Sequence, residues 1–154
     1  GDTWYNQTII DNAGAENAEG TVVSTFFDEN DDSNPVATDF VKGYKEWLNA
    51  DKKRIENNGG NDAIVGNSAL CFDTYNVICD AIEAGNTIDG EALKDAISKI
   101  DGDYVTGHIT FNETGDANKD SAYIDIAKDG KFQFLKIVTV GGGESSTEAA
   151  TEAE

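Results

Sequence analysis

Aromatic residues close to an acid are the pattern in this sequence that could do chemistry. Asp2 and Trp4 lie in the opening segment, and Phe72 is followed directly by Asp73. A pocket for a small zwitterion needs a carboxylate that pairs with the ammonium group and aromatic walls around the side chain. These residue types therefore permit an amino-acid site. By residue type alone, however, Trp4 and Phe72 fit ordinary core positions better.

The acidic segment 28–33 has oxygen-bearing side chains at the spacing of a calcium loop. Asp28, Asn30 and Asp32 match the first, third and fifth positions of an EF-hand loop. The sixth position lacks the required glycine, and the twelfth is Asp39, which falls inside the next predicted helix. We therefore predict a solvated loop here, and neither a metal site nor a cofactor anywhere in the chain.

One histidine and two cysteines are the remaining reactive side chains. Cys71 and Cys79 lie eight residues apart in one predicted helix, about 12 Å, which is too far for a disulfide between them. Both are predicted to be small core residues, and the alternating strand 105–111 turns His108 toward solvent. A nucleophilic Cys–His pair is therefore not expected, and we predict that the chain is not an enzyme.

Thirty acidic residues against eleven basic ones give the 154-residue chain a net charge of −19. This charge repels phosphate backbones and anionic bilayers, so roles in binding nucleic acid or a membrane surface are excluded. No apolar run approaches the roughly 20 residues of a membrane span. The lack of methionine predicts a processed or excised piece. Residues 141–154, rich in Gly, Ser, Thr and Glu, are predicted to form a disordered acidic tail.

The first of three predicted helices starts at Pro35, because proline is favoured at the first helical position. Asn34 or Ser33 would serve as its N-cap. Its apolar residues recur at the period of a helix, 3.6 residues. They are Val36, Phe40, Val41, Tyr44, Trp47 and Leu48.

Two more helices are predicted over about 67–84 and 89–100, the former ending just before Gly85. The polar segment 49–62, which precedes them, is predicted to be a loop. The apolar side of the second helix would consist of Leu70, Tyr75, Ile78, Cys79 and Ile82, and that of the third of Leu93, Ala96, Ile97 and Ile100.

Strands are predicted on both sides of these helices. Residues 21–27 read as a buried strand, 105–111 as a second, and 122–127 and 132–140 as a hairpin. The turn of this hairpin contains Asp129-Gly130, a pair that suits a type I′ turn. The chain is therefore predicted to be α/β, with helices layered on a sheet and a β-hairpin near its C-terminus.

Five segments, taken in order, resemble the type I periplasmic-binding-fold solute-binding proteins of ABC transporters, and among these the branched-chain amino-acid family. They span about residues 1–140. The family's glycine and tyrosine before an aspartate are replaced here by Cys71 and Phe72. The segments are GDTW, NAGAENAEGTVVSTFFDENDDSNPVATDFVKGYKEW, ALCFDTYNVICDAIEAG, GEALKDAISKIDGDYVTGHITFNETGD and SAYIDIAKDGKFQFLKIV.

The resemblance implies a fold of two α/β lobes that close over a ligand, of which this chain would hold only the C-terminal portion. Residues 1–24 and 122–140 would come from the second lobe, and 28–110 from the first. The part of the first lobe that binds the ligand carboxylate would lie outside the chain.

The resemblance also assigns the ligand contacts. Asp2 would pair with the ligand ammonium, Phe72 would form an aromatic wall beside the ligand side chain, and Trp4 would line the cleft. The ligand would be an amino acid, branched-chain or similar.

The expected function is therefore capture of such a ligand for an ABC permease by an exported, lipid-anchored protein. The alternative is the ligand-binding ectodomain of a sensor or receptor with the same fold. A third possibility is an enzyme that uses acidic residues and a divalent metal. Because incomplete lobes leave sheet edges and apolar helix faces uncovered, copies of the chain are also expected to associate with one another.

Overall fold

The computed structural model describes residues 4–139, so Asp2 and the predicted tail 141–154 fall outside it. The chain divides into two compact units. The first unit contains the residues up to Asp28 and those from Asp120 onward, and the second unit contains Glu29–Lys119. Among the described residues, no helix combines the length and the apolar character that crossing a membrane requires.

Residues 4–139 form six helices and five strands. In chain order they are α1 (Gln7–Ala13), α2 (Ala15–Ala18), β1 (Val22–Thr25), α3 (Pro35–Asn49), α4 (Lys52–Asn57), α5 (Gly66–Gly85), α6 (Gly90–Ile97), β2 (Asp101–Tyr104), β3 (Gly107–Thr110), β4 (Ser121–Lys128) and β5 (Lys131–Thr139).

An antiparallel sheet in the order β1-β4-β5 forms the frame of the first unit. The turn between β4 and β5 confirms the predicted hairpin, because Asp129 and Gly130 have φ angles of 53° and 77°, as a type I′ turn requires. The Asp129 N–H donates to the carboxylate of Glu19 and the Gly130 carbonyl accepts from the side chain of Gln7, so the turn is tied to the N-terminal helices.

The core of the first unit lies between its sheet and its two helices. Ile10 of α1, Ala18 of α2 and Ala127 of β4 form one buried cluster, against which Phe132 packs. This face of the sheet is therefore the one that α1 and α2 cover.

The second unit packs helices against the small antiparallel hairpin of β2 and β3. Its core cluster contains Val77 of α5 with Tyr104 and Ile109 of the hairpin. The hydroxyl of Tyr104 donates to Asp80 over 2.8 Å, and burial together with this bond raises the pKa of Tyr104 to about 12.

Helix α3 begins at Pro35 as predicted, and Asn34, one of the two candidate N-caps, accepts the Val36 N–H at 3.0 Å. The amide nitrogen of Asn34 donates to the carbonyls of Tyr104 and Val105. One side chain therefore both starts the helix and attaches it to the hairpin.

The inward side of α5 differs from the prediction. Its buried residues are Ala69, Asp73, Val77 and Ala81, spaced four apart. The expected apolar side is largely exposed: Leu70 is 36%, Tyr75 67% and Ile78 39% accessible. Cys71 is exposed and Cys79 half-buried, both as free thiols, so the prediction that both cysteines are core residues was wrong for Cys71.

The reason for this orientation is the carboxylate of Asp73, which is 2% exposed. Its two oxygens accept the N–H groups of Val105 and Thr106, each at 2.8 Å. Turning α5 to bury Leu70, Tyr75 and Ile78 instead would break both bonds and leave two backbone N–H donors unpaired.

Two further features, an additional helix and the end of α5, differ from the sequence prediction. The predicted loop 49–62 contains α4, because Asp51 caps it by accepting the Lys53 N–H at 2.9 Å. Helix α5 includes Gly85, and Asn86 takes the left-handed conformation instead. A Cβ on Gly85 would lie 2.9 Å from the Cβ of Ala96, so glycine permits the close approach of α6.

The predicted strand 105–111 is in fact half of a hairpin. Its partner, β2, has the sequence DGDY, which composition does not favour as a strand because Asp and Gly have low β-propensity. Pairing with β3 overrides that preference.

His108 lies on β3 and is exposed, as predicted. Its Nδ1 is 2.7 Å from an oxygen of Asp103, its partner across the hairpin, and its Nε2 is 3.0 Å from one of Asp101. The hydrogen bond with Asp103, together with the charges of both aspartates, raises the pKa of His108 above its ordinary value of 6.5.

We predict that Asp73→Ala lowers the free energy of unfolding by roughly 2–4 kcal/mol, because it leaves two backbone N–H groups of the hairpin without acceptors. Urea unfolding followed by circular dichroism measures this. The matched control is Asp95→Ala on the exposed side of α6, with an expected change within about 0.5 kcal/mol. Equal effects of the two substitutions would contradict the role assigned to Asp73.

We also predict that His108 titrates above pH 6.5 in the folded chain. Because the pKa of His108 is raised in the folded state, its interaction with Asp101 and Asp103 stabilises the hairpin fully below pH 6.5. This stabilisation is lost as the pH rises through the folded-state pKa. The signal is unambiguous in proton NMR, since the chain has one histidine.

Replacing Asp103 by Asn should move the His108 midpoint down, whereas Asp95→Asn, at an exposed position of α6 outside the hairpin, should leave it in place. A midpoint at or below 6.5 in the unmodified chain would show that the two aspartates do not hold the imidazolium.

Candidate functional site

The three residues predicted to contact a ligand are distributed over the two units. Asp2 lies outside the described residues, Trp4 belongs to the first unit and Phe72 to the second. Each is therefore described within its own unit, and their sharing of one ligand site stays a prediction.

Trp4 lies at the surface of the first unit, 52% exposed, just before α1. Its carbonyl accepts the N–H of Asn6, whose side chain caps α1 through the Thr8 N–H at 3.0 Å. The adjacent Tyr5 packs its ring on Phe132, with 5.6 Å between ring centroids. The opening segment is thus attached to the unit by Tyr5 and leaves the indole of Trp4 accessible.

Two buried carboxyl groups lie close to this attachment. Asp28, whose Oδ1 is 3.5 Å from the Tyr5 hydroxyl, is 5% exposed, and Asp125 is 1% exposed. Burial, and then the charge of Asp28, raises the pKa of Asp125 to about 7. The prediction of a solvated loop at 28–33 was therefore wrong for Asp28.

The burial of Asp125 was not predicted, although the alternation of residues in its strand indicates it. In the strand SAYIDIAK, alternate residues share one face of the sheet, so Asp125 lies between Tyr123 and Ala127 on the covered side. An acid at an inward position of a β-strand indicates either a partner or a changed pKa.

Phe72 begins a row of aromatic side chains in the second unit. Its ring lies 4.8 Å from that of Phe40, which lies 5.4 Å from Tyr44, which in turn lies 5.6 Å from Trp47. The guanidinium of Arg54 sits over the Trp47 ring at 4.5 Å. We call Phe72, Phe40, Tyr44 and Trp47 the aromatic row.

The two ends of the aromatic row are accessible: Phe72 is 44% and Trp47 50% exposed, whereas Phe40 is 7% exposed. Phe72 is held outward because its neighbour, Asp73, is fixed inward by the Val105 and Thr106 N–H groups. Lys119 braces the same turn through the carbonyl and hydroxyl of Thr106. The exposed ring of Phe72 is therefore a preorganised apolar surface.

The reactive side chains of the second unit do not form a nucleophilic pair. Both ring nitrogens of His108 are engaged by Asp103 and Asp101, so neither is available to a thiol. Within residues 4–139, no three His, Cys, Asp or Glu side chains are arranged to hold a metal ion. The accessible rings of Phe72 and Trp47 suit recognition of a ligand by apolar contact.

Comparison with solved structures places this arrangement in a known fold. The leucine-binding protein LivK of Thermotoga maritima is 32% identical to the chain, with a TM-score of 0.69, and the match covers 86% of this chain and 34% of that protein. A search of protein-family models and one of curated proteins found no match.

Two more distant structures have the same fold. The branched-chain amino-acid transporter substrate-binding protein LivJ of Streptococcus pneumoniae, solved with isoleucine, is 20% identical with a TM-score of 0.71, over 90% of this chain and 36% of that one. An ABC transporter substrate-binding protein of Desulfitobacterium hafniense, solved with leucine, is 22% identical with a TM-score of 0.59, over 78% and 32%.

The chain spans about a third of the length of each of these proteins. The similarity to LivK agrees with the resemblance found in the sequence. The chain is therefore part of a type I periplasmic-binding fold, as found in the leucine- and branched-chain amino-acid-binding proteins of ABC transporters.

Proposed function

We propose that the chain is part of an exported, non-enzymatic solute-binding protein that captures an amino acid for an ABC transporter. The observation that carries the proposal is the match to a leucine-binding protein at 32% identity over 86% of the chain. The aromatic groups on fixed backbone support it, because a binding protein needs preorganised contacts and no reacting side chains.

In this proposal Asp2 pairs with the ligand ammonium, Phe72 packs against the ligand side chain and Trp4 lines the cleft. A carboxylate is the group that an ammonium requires. The ring of Phe72 is accessible and its backbone is fixed. An aliphatic ligand side chain that packs on this ring therefore removes apolar surface of both groups from water, which favours binding.

The proposed mechanism is closure of two lobes, in which the ligand stabilises the closed form by contacting both. The lobe assignment is supported by the division of the chain after Asp28 and after Lys119. The permease would recognise the closed form, and a lipid anchor would keep the protein at the cell surface.

A chimera tests this function. The chain would replace the matching third of the Thermotoga maritima protein, and calorimetry would measure binding of leucine, isoleucine and valine. We expect binding by the chimera and none tighter than millimolar by the isolated 154 residues, because the isolated chain lacks the remaining ligand contacts. Micromolar binding by the isolated chain would contradict the proposed division of the site.

Variants of the chimera test the individual contacts. Asp2→Asn should weaken binding about tenfold to a hundredfold, because it removes a charge-assisted bond, and Phe72→Ala about tenfold. Tyr75→Ala is the matched control: it is also an aromatic residue of α5, is 67% exposed, and should change affinity less than about twofold. A folded chimera that binds none of the three amino acids would refute the proposed function.

We further propose that copies of the isolated chain associate through the outer face of α5, which consists of Leu70, Tyr75 and Ile78. These large apolar side chains are exposed together, and burying them would be favourable. The net charge of −19 opposes association and is screened by salt.

Sedimentation velocity should therefore show more dimer at 500 mM than at 50 mM NaCl. Ile78→Glu should abolish dimerisation, whereas Ile88→Glu, beyond the end of α5 and 83% exposed, should not. A monomer at both salt concentrations would contradict this part of the proposal.

A further inference from the structure

A buried carboxyl group in the first unit has an oxygen without a hydrogen-bond partner among the described residues. Asp125 is 1% exposed, and its Oδ2 has no partner in residues 4–139. Across the sheet it faces Val23 of β1 and Phe134 of β5, which offer no donor side chain. The register of β4 with β5 shifts between Ile124 and Asp125.

The titratable group that faces Asp125 is another acid. Asp28, in the segment after β1, is itself 5% exposed and raises the pKa of Asp125 through its charge. The Tyr5 hydroxyl lies 3.5 Å from Asp28. Glu16 of α2 and Glu19, the residue after this helix, are exposed, and Glu19 accepts the N–H of the turn residue Asp129.

An ionised Asp125 would be costly here for two reasons. A carboxylate removed from water needs donors or a cation, and the residues across the sheet supply neither. A second negative charge nearby adds repulsion. A protonated carboxyl avoids both costs, since it is neutral and can donate a hydrogen bond.

We propose that Asp28 and Asp125 form a proton-binding pair that holds one proton on Asp125 when the first unit is folded. The pKa of Asp125, raised to about 7 by burial and then by Asp28, agrees with this assignment. The proposal is independent of the ligand-binding function, because it concerns the first unit alone.

The proton links folding to pH with a defined sign. The unfolded chain releases this proton near the ordinary pKa of 3.8, whereas the folded chain keeps it until about 7. Between these values the folded state binds one proton more than the unfolded state. Its stability therefore falls as the pH rises from 3.8 to 7, and the unfolding constant increases by up to about tenfold per pH unit.

The direct test is carbon-13 NMR of the side-chain carboxyl carbons in the complete 154-residue chain. We expect the Asp125 carboxyl to titrate with a midpoint near 7, and Asp28→Asn to lower that midpoint, because it removes the neighbouring negative charge. An Asp125 midpoint near 4 in the unmodified chain would overturn the proposal, and this measurement needs no variant to fold.

Urea unfolding at pH 4.5 and pH 8 supplies a second readout. Asp125→Asn mimics the protonated carboxyl, so it should stabilise the chain relative to the wild type at pH 8 and have little effect at pH 4.5. The control is Asp120→Asn, which replaces an exposed acid directly before β4. This substitution should change the free energy of unfolding by the same amount at both pH values. Equal pH dependence in Asp125→Asn and Asp120→Asn would overturn the proposal.

Discussion

The carboxylate of Asp73 decides which side of α5 faces inward, and much of the second unit follows from it. Its two oxygens hold the Val105 and Thr106 N–H groups, so the hairpin turn and the helix are fixed to each other. Small residues, Ala69 and Ala81, allow the close approach and are fully buried. The adjacent Phe72 is consequently turned outward with its ring against Phe40. A single buried acid thus places the side chain that we assign to ligand contact.

The sequence predicted the elements whose signals are local. Pro35 with Asn34 marked the start of α3, and Asp129-Gly130 marked the turn between β4 and β5, because each depends on the conformation of one or two residues. The orientation of α5 was not predictable from periodicity, since its large apolar residues suggested the opposite side. Strand β2 was missed for a related reason: it is held by its partner strand and not by the propensities of Asp and Gly.

The candidate site was predictable only in part. Residue types drew attention to Trp4 and Phe72, and the structure shows both rings accessible on fixed backbone. The buried acids were not recognised, because an acid in so acidic a chain carries little information until its burial is known. Asp125 differs from the exposed acids by its surroundings, because it lies opposite Val23 and Phe134 with no donor side chain across the sheet. Chemistry of this kind depends on tertiary contacts.

The first unit is formed by two stretches of chain that are separated in sequence by the whole of the second unit. Its strand β1, from the first stretch, pairs with β4 from the second. Residues 29–119 form the second unit from one continuous stretch of chain, and during synthesis that stretch leaves the ribosome after β1 and before β4. Strand β1 cannot make its contacts with β4 until β4 has been synthesised. The pairing of β1 with β4 can therefore form only after the whole second unit has been synthesised, which makes the three-stranded sheet a late product of folding.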